Sequence, residues 1–134
     1  MKKRFRLLAG MTALLLLSGC GASRQPENTY RQITQEEAAK IMAEGEDYIL
    51  LDVRTQAEFA QAHIPGAICV PNETIGDEDI PALPKKDQLI LVYCRSGNRS
   101  KQAAGKLAKL GYTNVLEFGG INTWTGQTVS GTRD

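Results

Sequence analysis

The stretch LILVYCRSGNRSKQAAGKLAKLG, residues 89–111, changes character halfway along. Leu89 to Tyr93 is an unbroken apolar run, the pattern of a strand buried on both faces. Ser100 to Leu110 is rich in Ala, Leu and Lys and ends at Gly111, which predicts a helix with a glycine stop. Between them Cys94-Arg95-Ser96-Gly97-Asn98-Arg99 forms a short polar loop. Strand, loop and helix in that order are the unit of a parallel sheet, and the neighbouring sequence repeats it. Tyr48 to Val53 and Ala67 to Val70, the latter closed by Pro71, predict two more strands, and Val115 to Phe118 a fourth, followed by a turn at Gly119-Gly120. Thr34 with Glu37, and Thr55 with Glu58, have the spacing of a capping box, so a helix is expected after each threonine, the first stopping near Gly45 and the second near Ala62. Asn72 to Gln88 reads as loop with one helical turn, Ile121 to Thr125 as a short helix, and Gly126 to Asp134 as a tail without structure. Alternating strands and helices over short connections predict an α/β fold with helices on both faces of the sheet.

In such folds ligands bind beyond the C-terminal ends of the strands. Three segments meet there: Asp52 to Arg54, Cys94 to Arg99 and Gly119-Gly120. A thiolate at a helix N-terminus is stabilised by the helix dipole and by unpaired backbone amides. Gly97 allows a tight curl that turns successive N–H groups inward as an anion nest. Arg95 and Arg99 add charge, and from Cys94 to Lys109 there are five bases and no acid. Core packing alone would not call for this loop, so Cys94 is expected to be a nucleophile, with Arg95, Ser96, Gly97, Asn98 and Arg99 around its substrate. Asp52 and Arg54 are candidates for supporting the loop, with a structural ion pair the preferred role. His63 is expected to be structural and Cys69 a buried free thiol, with a Cys69–Cys94 disulfide as the alternative.

Composition narrows the function. The chain has 134 residues, 42% hydrophobic and 23% charged, with three Cys and one His, so a disulfide framework, a four-cysteine zinc site and a multi-histidine metal centre are excluded, and no cofactor is expected. Lys2, Lys3, Arg4 and Arg6 precede Cys20 with no acid among them. The rest of the chain therefore carries an excess of acid, which argues against nucleic acid as a partner. Residues 1–19, a basic head, the apolar run Leu7 to Leu17 and the small residues Ser18-Gly19, read as an export signal too short to span a bilayer. Leu17-Ser-Gly-Cys20 resembles a bacterial lipobox. It implies lipidation of Cys20 and a place on the extracytoplasmic side of a bacterial membrane in the cell envelope. Gly21 to Asn28 is small, polar and Pro-containing, so residues 20–29 read as a tether, with a domain expected over 30–128 and a tail over 129–134.

The stretch Tyr93-Cys-Arg-Ser-Gly-Asn-Arg-Ser100 resembles the active-site loop of the rhodanese-like sulfurtransferases. Leu51-Asp-Val-Arg54 through Glu58-Phe59 to His63-Ile-Pro-Gly-Ala67 resembles that domain's N-terminal signature, and Gly119-Gly-Ile-Asn-Thr-Trp124 its C-terminal one. The resemblance runs from about Tyr30 to Trp124 and is to the single-domain branch. It implies a three-layer α/β/α fold with a five-stranded, mainly parallel sheet, and a Cys94 that carries sulfane sulfur as a persulfide. The implied partners are a small-molecule donor, thiosulfate or a related compound, and a nucleophilic acceptor, cyanide or a thiol. Arg95 or Arg99 would hold the incoming oxyanion. The competing readings are a noncatalytic or redox-sensing binding module and a cysteine phosphatase or arsenate reductase. A Cys-x5-Arg loop would require Arg where Ser100 stands, and the Cys-x-x-Cys of a thiol oxidoreductase is absent.

Overall fold

Apolar runs that cannot leave either face in water must be covered twice, and the structure shows how. In the computed structural model, which describes residues 29–132, five strands form one sheet. They are β1 (Arg31–Gln32), β2 (Tyr48–Asp52), β3 (Ile68–Cys69), β4 (Leu89–Cys94) and β5 (Val115–Gly120), in the order β1-β5-β4-β2-β3, with every pair parallel. Three α-helices cover it: α1 (Gln35–Ala43), α2 (Gln56–Gln61) and α3 (Asn98–Lys109). The export signal, Cys20 and most of the tether lie outside the described residues.

Alternation along the central strands divides the core. Leu51, Val53, Ile90, Val92 and Cys94 pack against Ala103, Ala104 and Leu107 of α3. Leu50, Leu91, Tyr93, Leu116 and Phe118 face the other way, against Ala38 of α1 and Phe59 of α2. This is the three-layer α/β fold that the sequence predicts.

Both capping boxes form. Thr34 Oγ1 accepts the Glu37 N–H at 3.1 Å while Glu37 accepts the Thr34 N–H at 2.7 Å, and Thr55 with Glu58 repeats the exchange at 3.2 and 3.0 Å. A 3-10 turn at Asn72–Thr74 is the one helical turn expected in the long connection.

Several boundaries are corrected. Strand β1 has no apolar pattern to predict it, because Arg31 and Gln32 are exposed and its two residues are held by β5 rather than by a core of their own. Strand β5 continues through Gly119 and Gly120, where a turn was expected. Its register with β4 shifts between Val92↔Glu117 and Cys94↔Gly120, so an irregularity carries the strand past the glycines. Helix α3 starts at Asn98, two residues early. Finally, the tail is not free of structure: Val129 and His63 exchange backbone hydrogen bonds at 2.8 and 2.9 Å, and Gly131 N–H donates to Ala60 at 2.8 Å.

Candidate active site

Strand β4 ends on Cys94, and the chain must turn at once to enter α3. Gly97 makes the turn possible. Its φ of +102° lies in the left-handed region that side-chain-bearing residues avoid. The turn brings the Gly97 N–H back over the sulfur, donating to Cys94 Sγ at 3.0 Å. Ser100, in the first turn of α3, places its Oγ 3.4 Å from the same sulfur. Cys94 is 1% exposed, so the thiol lies at the floor of the loop rather than on its rim. Burial alone would push the thiol up, but the Ser100 hydroxyl and the backbone amides of Ser100, Gly97 and Ser96 favour the thiolate more strongly. The Cys94 thiol is therefore held below its ordinary value.

The irregular end of β5 fits beneath this loop. A Cβ on Gly120 would collide with the Arg95 backbone, so only glycine allows the approach. Asn122 N–H donates to the Arg95 carbonyl at 3.1 Å and fixes the loop from the same side. The convergence of Gly119-Gly120 with Cys94 to Arg99 is thus a contact in the structure.

The two arginines of the loop differ. Arg99 forms a two-pronged ion pair with Glu58 of α2, at 2.8 and 2.9 Å, which holds the Glu58 carboxyl down to about 2. Arg95 is exposed and enters no ion pair among the described residues. Ser96 and Asn98 are exposed on the loop, and Gly97 is buried.

Asp52 and Arg54 do not join this cluster. They form a buried ion pair, closest at 2.7 Å, and Arg54 also donates to the Ala62 carbonyl at 2.6 Å. No side-chain hydrogen bond from either reaches the Cys94–Arg99 loop; the pair fastens the end of β2 to the end of α2. His63 is fully buried, stacked on Phe59 with centroids 3.7 Å apart. Trp124 packs 5.9 Å from Phe118, on the face away from Cys94.

Cys69 and Cys94 are both free. Cys94 belongs to the α3 side of the sheet, whereas Cys69, two strands away, packs with Tyr93 on the other. Burial pushes the Cys69 thiol up to about 11, and its Sγ donates to the Arg54 carbonyl at 3.4 Å.

Two further residues lie beside the sulfur, and no sequence pattern marks either as a site residue. In the sequence Ser100 is only the start of a helix and the end of a motif. Glu117 of β5 is 2% exposed, and its Oε1 accepts from Ser100 Oγ at 2.6 Å and from Gly119 N–H at 2.8 Å. The available signal was a lone charge within VLEFGG, residues 115–120, a strand otherwise apolar or glycine.

A three-layer α/β domain with one thiol cradled between a parallel strand and a helix is the class that fold and site define. The chain belongs to the rhodanese-like domain family, whose profile, described as "Rhodanese-like domain", matches residues 34–127. A "Sulfurtransferase" of Allochromatium vinosum is 42% identical over 96 residues, which cover 69% of this chain and 86% of that protein. "Thiosulfate sulfurtransferase PspE" of Escherichia coli is 37% identical over 71 residues, covering 53% and 68%. A solved structure described as "rhodanese with anions from E. coli" superposes with a TM-score of 0.58 at 33% identity, covering 63% of this chain and 99% of that one.

Proposed function

We propose that the chain is a rhodanese-type sulfurtransferase that carries sulfane sulfur on Cys94 as a persulfide. The observation that carries this reading is the Cys94 sulfur itself: sunk, free, hydrogen-bonded by Gly97 N–H and Ser100, and ringed by amides that favour its ionised form. The family match and the relatives named sulfurtransferase support the same reaction class.

The chemistry is a double displacement. The Cys94 thiolate attacks the outer sulfur of thiosulfate or a related donor, an S–S bond forms, and sulfite or its equivalent leaves with the bonding pair. An acceptor, cyanide or a thiol, then attacks the outer sulfur and the Cys94 thiolate leaves. Free enzyme and persulfide alternate, so ping-pong kinetics are expected. The loop amides that favour the thiolate also suit the outer sulfur and the departing oxyanion. Because Arg99 is already matched by Glu58, Arg95 is the cation available to an anionic donor. A noncatalytic module would have no use for a thiol held ready in this way.

Intact-mass measurement after incubation with thiosulfate tests the reading. The chain is expected to gain one sulfur atom on Cys94, and Cys94→Ser to gain none. Undiminished sulfur transfer by Cys94→Ser would overturn it. We further propose that Cys20 is lipidated and holds the domain on the extracytoplasmic side of a bacterial membrane. The lipobox-like Leu17-Ser-Gly-Cys20 supports this, and mass spectrometry finding an unmodified Cys20 thiol in the mature chain would end it.

A further inference from the structure

Glu117 is a buried carboxyl one hydroxyl away from the Cys94 sulfur. Ser100 Oγ lies 3.4 Å from Cys94 Sγ and 2.6 Å from Glu117 Oε1, and Ser100 is fully buried. Among the described residues no ion pair includes Glu117. The nearest arginine along the chain from Ser100, Arg99, is turned to Glu58. The Ser100 hydroxyl therefore forms a continuous buried line between the Cys94 sulfur and the Glu117 carboxyl, along which a proton can pass.

We propose that Glu117 receives the proton that Cys94 gives up, relayed through the Ser100 hydroxyl. In the thiol form the Cys94 S–H donates to Ser100 Oγ and the Ser100 O–H donates to Glu117. Moving each proton one place breaks the S–H bond and the original Ser100 O–H bond. It forms a new Ser100 O–H and a Glu117 O–H, and the products are a thiolate and a carboxylic acid. No proton enters from solvent or leaves to it. Both hydrogen bonds survive with their directions reversed, so the Ser100 hydroxyl now donates to the thiolate. The Gly119 N–H holds Glu117 Oε1 in place at 2.8 Å throughout. The loop amides draw charge onto sulfur, and Glu117 supplies somewhere for the proton to go without a histidine at the site. Glu117 acts through Ser100 and is a positioning residue for the proton. The inference deepens the reading of Cys94 as the nucleophile and rests on it.

The test counts protons on the full chain with Cys20 and Cys69 replaced by Ser, so that Cys94 is its one thiol. At neutral pH the thiolate fraction is read from ultraviolet absorbance. Iodoacetamide then alkylates Cys94 in unbuffered solution with an indicator dye, and the protons released per alkylated thiol are measured. Alkylation of a thiolate displaces iodide and releases no proton, and alkylation of a thiol releases one. Without a shared proton, the thiolate fraction and the protons released therefore sum to one. If Glu117 holds the proton, alkylation removes the sulfur's charge, Glu117 surrenders the proton, and the sum rises toward two. Glu117→Gln and Ser100→Ala are expected to return it to one. A sum of one in the parent, or a raised sum that survives in either variant, overturns the proton route. Because the parent alone decides the first outcome, a variant that fails to fold does not leave the question open. Sulfur gain from thiosulfate, read separately by mass, distinguishes failure of this route from failure of the sulfurtransferase reading.

Discussion

Cys94 stands between opposing influences whose balance sets its reactivity. Burial disfavours the thiolate, while the Ser100 hydroxyl and the amides of Ser100, Gly97 and Ser96 favour it, and the hydrogen bonds prevail. Replacing Ser100 by Ala removes the one side-chain donor and keeps the amides. A hydrogen bond to a charged group is worth about 1.5–3 kcal/mol. Sulfur transfer by Ser100→Ala at neutral pH is therefore expected to fall about tenfold, which corresponds to ~1.4 kcal/mol. Because the lost donor favoured the ionised form, the acid limb of the rate–pH profile should move to higher pH, which steady-state rates across the pH range will show. An unmoved limb would mean that Ser100 is packing alone. The sequence disclosed Cys94 because a thiol, a glycine and two arginines in one short loop have a shared chemical logic. It hid Glu117, because a single charge in a strand reads equally well as an exposed position. Its hydrogen-bond partners are Ser100, 17 residues away in sequence, and the Gly119 N–H at the irregular end of β5.

Glu58 joins two elements with one side chain. It closes the capping box of α2 through Thr55 and, from the same carboxylate, grips Arg99 in the first turn of α3. The pair bridges the helices across the edge of the loop, so it holds α3 in place relative to α2 while taking Arg99 out of use as a free cation. Glu58→Gln keeps the capping box, since glutamine serves at that position, and removes only the charge. The folded value of about 2 lies below the ordinary 4.5, so this stabilisation is complete above 4.5 and disappears as pH falls toward 2. Urea denaturation should show Glu58→Gln less stable by about 1–2 kcal/mol at neutral pH, allowing for solvent screening of a partly open pair. The difference should close as pH drops from 4.5 to 2. A difference that stayed constant with pH would assign the effect to packing. The two capping boxes were legible because they are local patterns of four residues. Strand β1 and the far end of β5 were not: the two residues of β1 are strand only because β5 offers them partners, a relation no local pattern records.

The candidate nucleophile and the groups hydrogen-bonded to it lie on one side of the sheet. Cys94, Ser100 and Glu117 lie toward α3, while the Asp52–Arg54 pair, His63 on Phe59, and Cys69 lie with α2. Alternation in the central strands made that division legible in outline, but the part played by the tail was beyond it, since residues 126–134 have no periodicity to reveal an attachment. Val129 supplies both backbone partners of the fully buried His63, and Gly131 adds a third bond at Ala60. Removing residues 128–134 would strip the His63 N–H and C=O of these partners, and leaving such groups unsatisfied costs about 1–3 kcal/mol. Against this stands the freedom regained by a short exposed segment. The net expectation is a loss of about 1–2 kcal/mol in urea denaturation, with thiosulfate-dependent sulfur gain on Cys94 unchanged, because none of the three bonds touches the loop or α3. If the shortened chain kept its stability, the His63–Val129 pairing would contribute nothing to the fold. If it kept its stability and lost sulfur transfer, the tail would reach the site through α2 and the Glu58–Arg99 pair that joins α2 to α3.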